Sequence, residues 1–161
     1  MQHTQIQLSQ KERKVLQDQK KHEEVCIRKY DHFAQKASDP QLRNMFAHFA
    51  DQERQHYNSL DQLLQGRQPT PSGGGRNRQQ TNPPAYSPSH NRDELGQQHC
   101  EDAIMCRDAM MMEQFISDSY NQGLFQSMNP VVRQTLQHIQ DEEQQHGEGI
   151  LNYLQEQGMQ G

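Results

Sequence analysis

Two Glu-x-x-His tetrads, Glu53 to His56 and Glu143 to His146, stand ninety residues apart in this chain. Thirty residues before each lies a further glutamate, Glu23 and Glu113, at the same offset. Residues three apart on a helix share a face, so the Glu and His of each tetrad reach one point. Four carboxylates and two imidazoles are the donor set with which a helical bundle can hold a pair of iron or manganese ions. A single Glu-x-x-His carries little weight, because two polar residues at that spacing more often line a solvated face. Its repetition, with both upstream glutamates, is what points to chemistry. Burying four unpaired carboxylates costs several kcal/mol each, and two divalent cations would cancel their charge. The expected ligands are Glu23, Glu53, His56, Glu113, Glu143 and His146, around two divalent ions, iron or manganese. A wet core of protonated or hydrated carboxylates is the plainer alternative. Glu24 competes with Glu23, and the ninety-residue register favours Glu23.

The same offset runs through the elements that must position these groups. Tyr30 falls on Tyr120, Pro40 on Pro130, Arg43 on Arg133, His48 on His138, Asp51 on Asp141 and Gln55 on Gln145. Ser9 and Glu12 form a capping box that opens a first helix, running to about Ala37. Asp39-Pro40 opens a second, running to about Gln65, and Asn129-Pro130 opens a fourth that stops before Gly158. A third runs from near Asp93 to around Gly123. Leu42, Phe46, Phe49, Leu60 and Leu63 make an apolar seam on the second helix. Val132, Leu136, Ile139, Ile150 and Tyr153 make its counterpart on the fourth. Both tetrads occupy seam positions that the pattern reserves for hydrophobes, and breaks of that kind mark function.

Between the two helix pairs, residues 66–92 are rich in Pro, Gly, Ser, Asn and Arg and lack periodicity. They read as a flexible linker. Twenty-seven extended residues reach up to roughly 90 Å, and helices of this length are about 40 Å long. The chain is therefore expected to be one all-α domain over residues 1–161. It would be a four-helix bundle of two αα-hairpins, 9–65 and 93–157, joined by a long crossover.

Composition narrows the partners. The 161 residues are only 30% hydrophobic, with a mean hydropathy of -1.20, values that would mean disorder without the periodicity above. A net charge of -5 leaves no footprint for nucleic acid, and no apolar run reaches membrane-spanning length. Three cysteines make no disulfide framework, and the first residues lack the pattern of a signal peptide. A soluble protein made in a reducing compartment is expected. Cys26, three residues after Glu23, would face the site either as an inert buried thiol or as one whose pKa nearby cations depress. Tyr30 and Tyr120 would pack and hydrogen-bond in the core, with radical transfer as the alternative. Of Met105 and Met110 to Met112, one or two would be buried in the core and the rest at its edge.

Glu23, Glu53-x-x-His56, Glu113 and Glu143-x-x-His146, with Tyr30 and Phe33-Ala34, resemble the rubrerythrin and ferritin-like pattern over both hairpins. The carboxyl-terminal half narrows the likeness. Tyr120-Asn121, Asn129 to Arg133, Asp141 to His146 and Asn152 to Gly158 resemble the spore coat protein F family. That resemblance implies a ferritin-like helical domain, made in the mother-cell cytoplasm and deposited on the spore coat. Its partners would be other spore coat proteins or further copies of itself. The alternative is a di-iron or di-manganese oxidoreductase acting on dioxygen or peroxide, as the likeness to rubrerythrins, ferritins and manganese catalases implies. No Cys-x-x-Cys pair exists to build a rubredoxin-type iron centre.

Overall fold

A computed structural model describes residues 5–70 and 92–159, which form four helices and no strand. Helix α1 (Gln10–Lys36) starts where Ser9 Oγ accepts from Glu12 N at 3.0 Å and the Glu12 carboxylate accepts from Ser9 N at 3.1 Å. Helices α2 (Pro40–Leu64) and α4 (Pro130–Glu156) open alike. Asp39 Oδ1 accepts from Gln41 N, and Asn129 Oδ1 from Val131 N, each at 2.9 Å, with proline at the start of each helix. Both end before a glycine in the left-handed region, Gly66 at φ 75° and Gly158 at φ 66°, where a side chain would be strained.

Helix α3 (Arg92–Gln126) departs from expectation at its end. Gly123 does not stop it, and the helix continues to Gln126. The backbone at Gly123 is ordinary helix, and a Cβ there would come within 2.9 Å of Val15 Cγ1 on α1. This glycine serves a close approach of helices rather than a cap.

α1 packs on α2, α3 on α4, α1 on α3 and α2 on α4. Each pair is antiparallel: Gln19 meets Ser119 while Lys29 meets Asp108, and His56 meets Glu142 while Gln52 meets His146. The end of α2 and the start of α3 therefore lie at opposite ends of the bundle. Of the expected linker, residues 71–91 lie outside the described residues, and Arg92 already belongs to α3. Its first residues are tied down, for Gly66 O accepts from Ile6 N at 2.8 Å and Thr70 N donates to Gln62 Oε1 at 3.2 Å.

The two halves are stapled crosswise at their turns. Glu12 on α1 is buried and accepts from Met128 N and Asn129 N, in the α3–α4 turn. Asp102 on α3, ninety residues on, is buried and accepts from Ser38 N at 2.8 Å and Asp39 N at 3.0 Å, in the α1–α2 turn. An ionised carboxylate on two backbone N–H groups is among the stronger hydrogen-bond arrangements in proteins.

All ten seam residues of α2 and α4 are buried. They divide between two apolar layers. One contains Tyr30, Phe33, Phe46, Phe49 and Ile150, the other Leu16, Leu60, Ile116, Tyr120 and Ile139. Met105, Met110 and Met112 only pack against these layers, and Met111 is exposed. The methionines thus sit at the edge of the core, because Ala103, Cys106 and Ala109 take the inward positions of α3.

Candidate metal centre

Between the apolar layers lies a polar one. Glu23 reaches it from α1, Glu53 and His56 from α2, Glu113 from α3, and Glu143 and His146 from α4. None of the six is more than 3% exposed, whereas Glu24 is exposed. Ligand-type atoms of Glu23, Glu53, His56 and Glu143 lie within 4.8 Å of one another, and so do those of Glu53, Glu113, Glu143 and His146. Glu53 and Glu143 belong to both groups. Each tetrad glutamate is thus placed between the two histidines, and Glu23 and Glu113 each serve one side.

Both imidazoles turn Nδ1 inward. His56 Nδ1 is 3.1 Å from Glu53 Oε2 and 3.1 Å from Glu143 Oε1. His146 Nδ1 is 3.0 Å from Glu53 Oε1 and 3.4 Å from Glu113 Oε1. Five buried side-chain atoms among the described residues have no hydrogen-bond partner: Glu23 Oε2, Glu53 Oε1, Glu113 Oε2, Glu143 Oε2 and His146 Nδ1. All five belong to the six expected ligands. Unpaired acceptors in a dry interior are costly. Atoms brought close without bonding to one another have the arrangement that shared cations satisfy, and carboxylate with imidazole suits iron or manganese.

The outer nitrogens are held crosswise. His56 Nε2 donates to Glu142 Oε2 at 3.0 Å, and His146 Nε2 donates to Gln52 Oε1 at 2.7 Å. Gln52 and Glu142 immediately precede the tetrad glutamates and are themselves ninety residues apart. Glu142 also faces His138 Nε2 at 2.6 Å. Tyr30 donates to Glu113 Oε1 and Tyr120 to Glu23 Oε1, each across to the other hairpin. Such partners fix ligand orientation and basicity. Sequence reading missed Glu142, Gln52 and the crossed tyrosine bonds. Gln52 and Glu142 differ in type, so matching identical residues passes over them.

Crowding sets the electrostatics. Burial, then the charge of Glu23, pushes Glu53 up to about 7. Burial, then the charge of Glu143, pushes Glu113 up to about 8, and the same two causes raise Glu23. Burial pulls His146 down, but the carboxylates of Glu113, Glu143 and Glu53 facing Nδ1 outweigh it and lift the ring to about 11. His56 is likewise held well above its ordinary value, by Glu142, Glu143, Glu23 and Glu53 against burial. Like charges so packed favour protons or cations between them.

Cys26 is fully buried in the apolar layer with Leu60 and Ile116. Burial first, and then the charges of Glu53, Glu23, Glu143 and Glu113, push its thiol well above the ordinary range. Two cavities reach the polar layer from outside. One of about 380 Å³ is lined by His56, Glu142, His138 and Thr135, and one of about 630 Å³ by Glu113, Glu143, Met110 and Gln144.

Residues 101–160 match the family model of the Coat F domain. The match takes in α4 and α3 from Glu101 on, and so contains Glu113, Glu143 and His146. No curated protein and no solved structure matches the chain. No helix among the described residues is long and apolar enough to cross a membrane.

Proposed function

We propose that this chain is a spore-coat-associated helical protein that holds two divalent cations, iron or manganese, at the centre of a ferritin-like bundle. The coat association rests on the Coat F match of residues 101–160. The metal reading is carried by one observation, that every unpartnered buried side-chain atom among the described residues belongs to the six-residue cluster.

Glu23, Glu53, His56 and Glu143 would hold one ion, and Glu53, Glu113, Glu143 and His146 the other. Once bound, such ions supply Lewis acidity and one-electron chemistry. The chain's own residues do the rest. Tyr30 and Tyr120 hold the carboxylates of Glu113 and Glu23 in place, Glu142 and Gln52 fix the imidazoles, and the apolar layers keep water from both flanks. The partners would be other coat proteins or further copies of this chain, met after synthesis in the mother cell.

Elemental analysis of untagged protein prepared without chelators tests the metal reading, with two ions per chain expected. Less than one ion per chain after reloading with Fe(II) or Mn(II) sinks it. A fluorescent fusion followed through sporulation tests the location, and signal that never gathers on the forespore overturns that part. A second reading, oxidation chemistry with dioxygen or peroxide, is favoured by the two cavities that reach His56 and Glu113. Peroxide consumption or ferrous oxidation by the loaded protein distinguishes it from a purely structural role.

A further inference from the structure

Among the hydrogen-bond partners of the two imidazoles, the ninety-residue symmetry breaks at one pair. His56 Nε2 donates to a carboxylate, Glu142, while His146 Nε2 donates to a neutral amide, Gln52. The carboxylates around the two imidazoles are otherwise matched, while Phe49 stacks on His146 at 4.2 Å where the position ninety residues on holds Ile139. Each turns Nδ1 to Glu53 and Glu143, and each has one glutamate of its own. Glu142 is held in place from outside by His138 Nε2 at 2.6 Å and from across the α2–α4 contact by Gln52 Nε2 at 3.4 Å.

We infer that Glu142 makes the two cation positions unequal, so that the position on His56 fills before the position on His146. This rests on the metal reading above and goes beyond it. An imidazole whose N–H points at a carboxylate carries more electron density on its other nitrogen than one bonded to an amide, and is the better ligand. Outer partners of this kind change metal affinity by roughly 10–100-fold when removed. The carboxylate also adds a full negative charge behind one position only. The charge lies one residue from Glu143 in the chain but on the His56 side of the layer, so it does not serve both positions alike. Glu142 is therefore a positioning residue, and the asymmetry between Glu142 and Gln52 sets the order of loading.

The experiment titrates Co(II) into the full-length apoprotein, read by calorimetry and visible absorption, with histidine NMR signals assigned through H56N and H146N. Wild type is expected to take two ions in separated steps, the first perturbing His56. Glu142→Gln is expected to weaken the first step by about 10–100-fold and merge the two. Gln52→Glu is expected to tighten the second. The double exchange, E142Q with Q52E, is expected to restore two steps with His146 perturbed first. A merely structural role for Glu142 would not reverse that order. Two equal steps in wild type, or an unchanged first step in E142Q, overturn this inference and leave the metal reading standing. Failure of wild type to bind cobalt overturns both. Thermal melts of each apo variant show that the comparison is between folded proteins, and the double exchange decides the matter if either single variant melts early.

Discussion

Tyr30 donates its hydroxyl to Glu113, a residue of the opposite hairpin, and not to the glutamates of its own. Ninety residues on, Tyr120 returns the bond to Glu23. Each hydroxyl is buried, and its bond satisfies one oxygen of a carboxylate whose other oxygen is unpartnered. Burial and the adjacent glutamate charge keep both phenols protonated, well above their usual range. Y30F and Y120F are expected to destabilise the apoprotein by about 1–3 kcal/mol each, the cost of leaving a buried polar group unsatisfied. Urea unfolding measures this. No loss in either variant would mean the hydroxyls are not holding the carboxylates.

The apoprotein is expected to lose stability as pH rises. Glu53 and Glu113 have folded pKa values near 7 and 8, above the ordinary carboxylate value, so the folded state binds more protons than the unfolded one. Their protonated forms cost nothing at low pH, and stability falls as each ionises up to its folded pKa. The raised histidines act in the same direction. His146, near 11 when folded, contributes stability that is present below about 6.5 and is lost as pH rises toward its folded value. Melting temperature should fall from pH 5 to pH 8 without metal. Saturating Mn(II) should reverse the trend, because cations replace the displaced protons. A rising melt for the apoprotein would count against this crowding.

Glu143 is common to both ligand groups, and Glu23 belongs to one. E143A is expected to retain one ion or none, and E23A to retain one. Metal content after dialysis checks both. Two ions retained by E143A would remove it from the site.

Removing either turn staple should be felt at a distance from the metals. D102A strands the N–H groups of Ser38 and Asp39, and E12A those of Met128 and Asn129. Each is expected to cost about 2–4 kcal/mol. Because the staples sit at opposite ends of the bundle, the two losses should add. A double variant no less stable than either single one would refute the independence.

Thiol chemistry is expected at Cys100 alone. It is exposed, while Cys26 and Cys106 are fully buried. Burial, joined by the charge of Asp102, pushes Cys106 up to about 12. A thiol reagent should label one site per folded chain, found by peptide mapping. Labelling of Cys26 at a matching rate would mean the apolar layer around it is open to solvent.

Helix starts were legible because Ser9-Glu12, Asp39-Pro40 and Asn129-Pro130 act locally, through atoms two or three residues away. Glu53, His56, Glu143 and His146 were legible because two helical seams were interrupted at one register, and Glu23 and Glu113 because they share the ninety-residue offset. What escaped was tertiary. Gly123 looks like a stop, and only the packing of Val15 against it shows a close approach. Glu12 reads fully as a capping residue, and its second carboxylate oxygen, which reaches the far turn, has no local signature. The Tyr–Glu bonds run between hairpins, so spacing along one helix could not foretell which glutamate each tyrosine would choose.

The crossed bonds have a consequence for inheritance. Glu23 answers to Tyr120 and Glu113 to Tyr30; Asp102 holds the turn at Ser38, and Glu12 the turn at Asn129. Neither hairpin carries its own complement. A descendant that altered one copy would leave the other with an unanswered group, so substitutions must travel in pairs between the halves. At these four crossed contacts the unit that can change without loss is the pair.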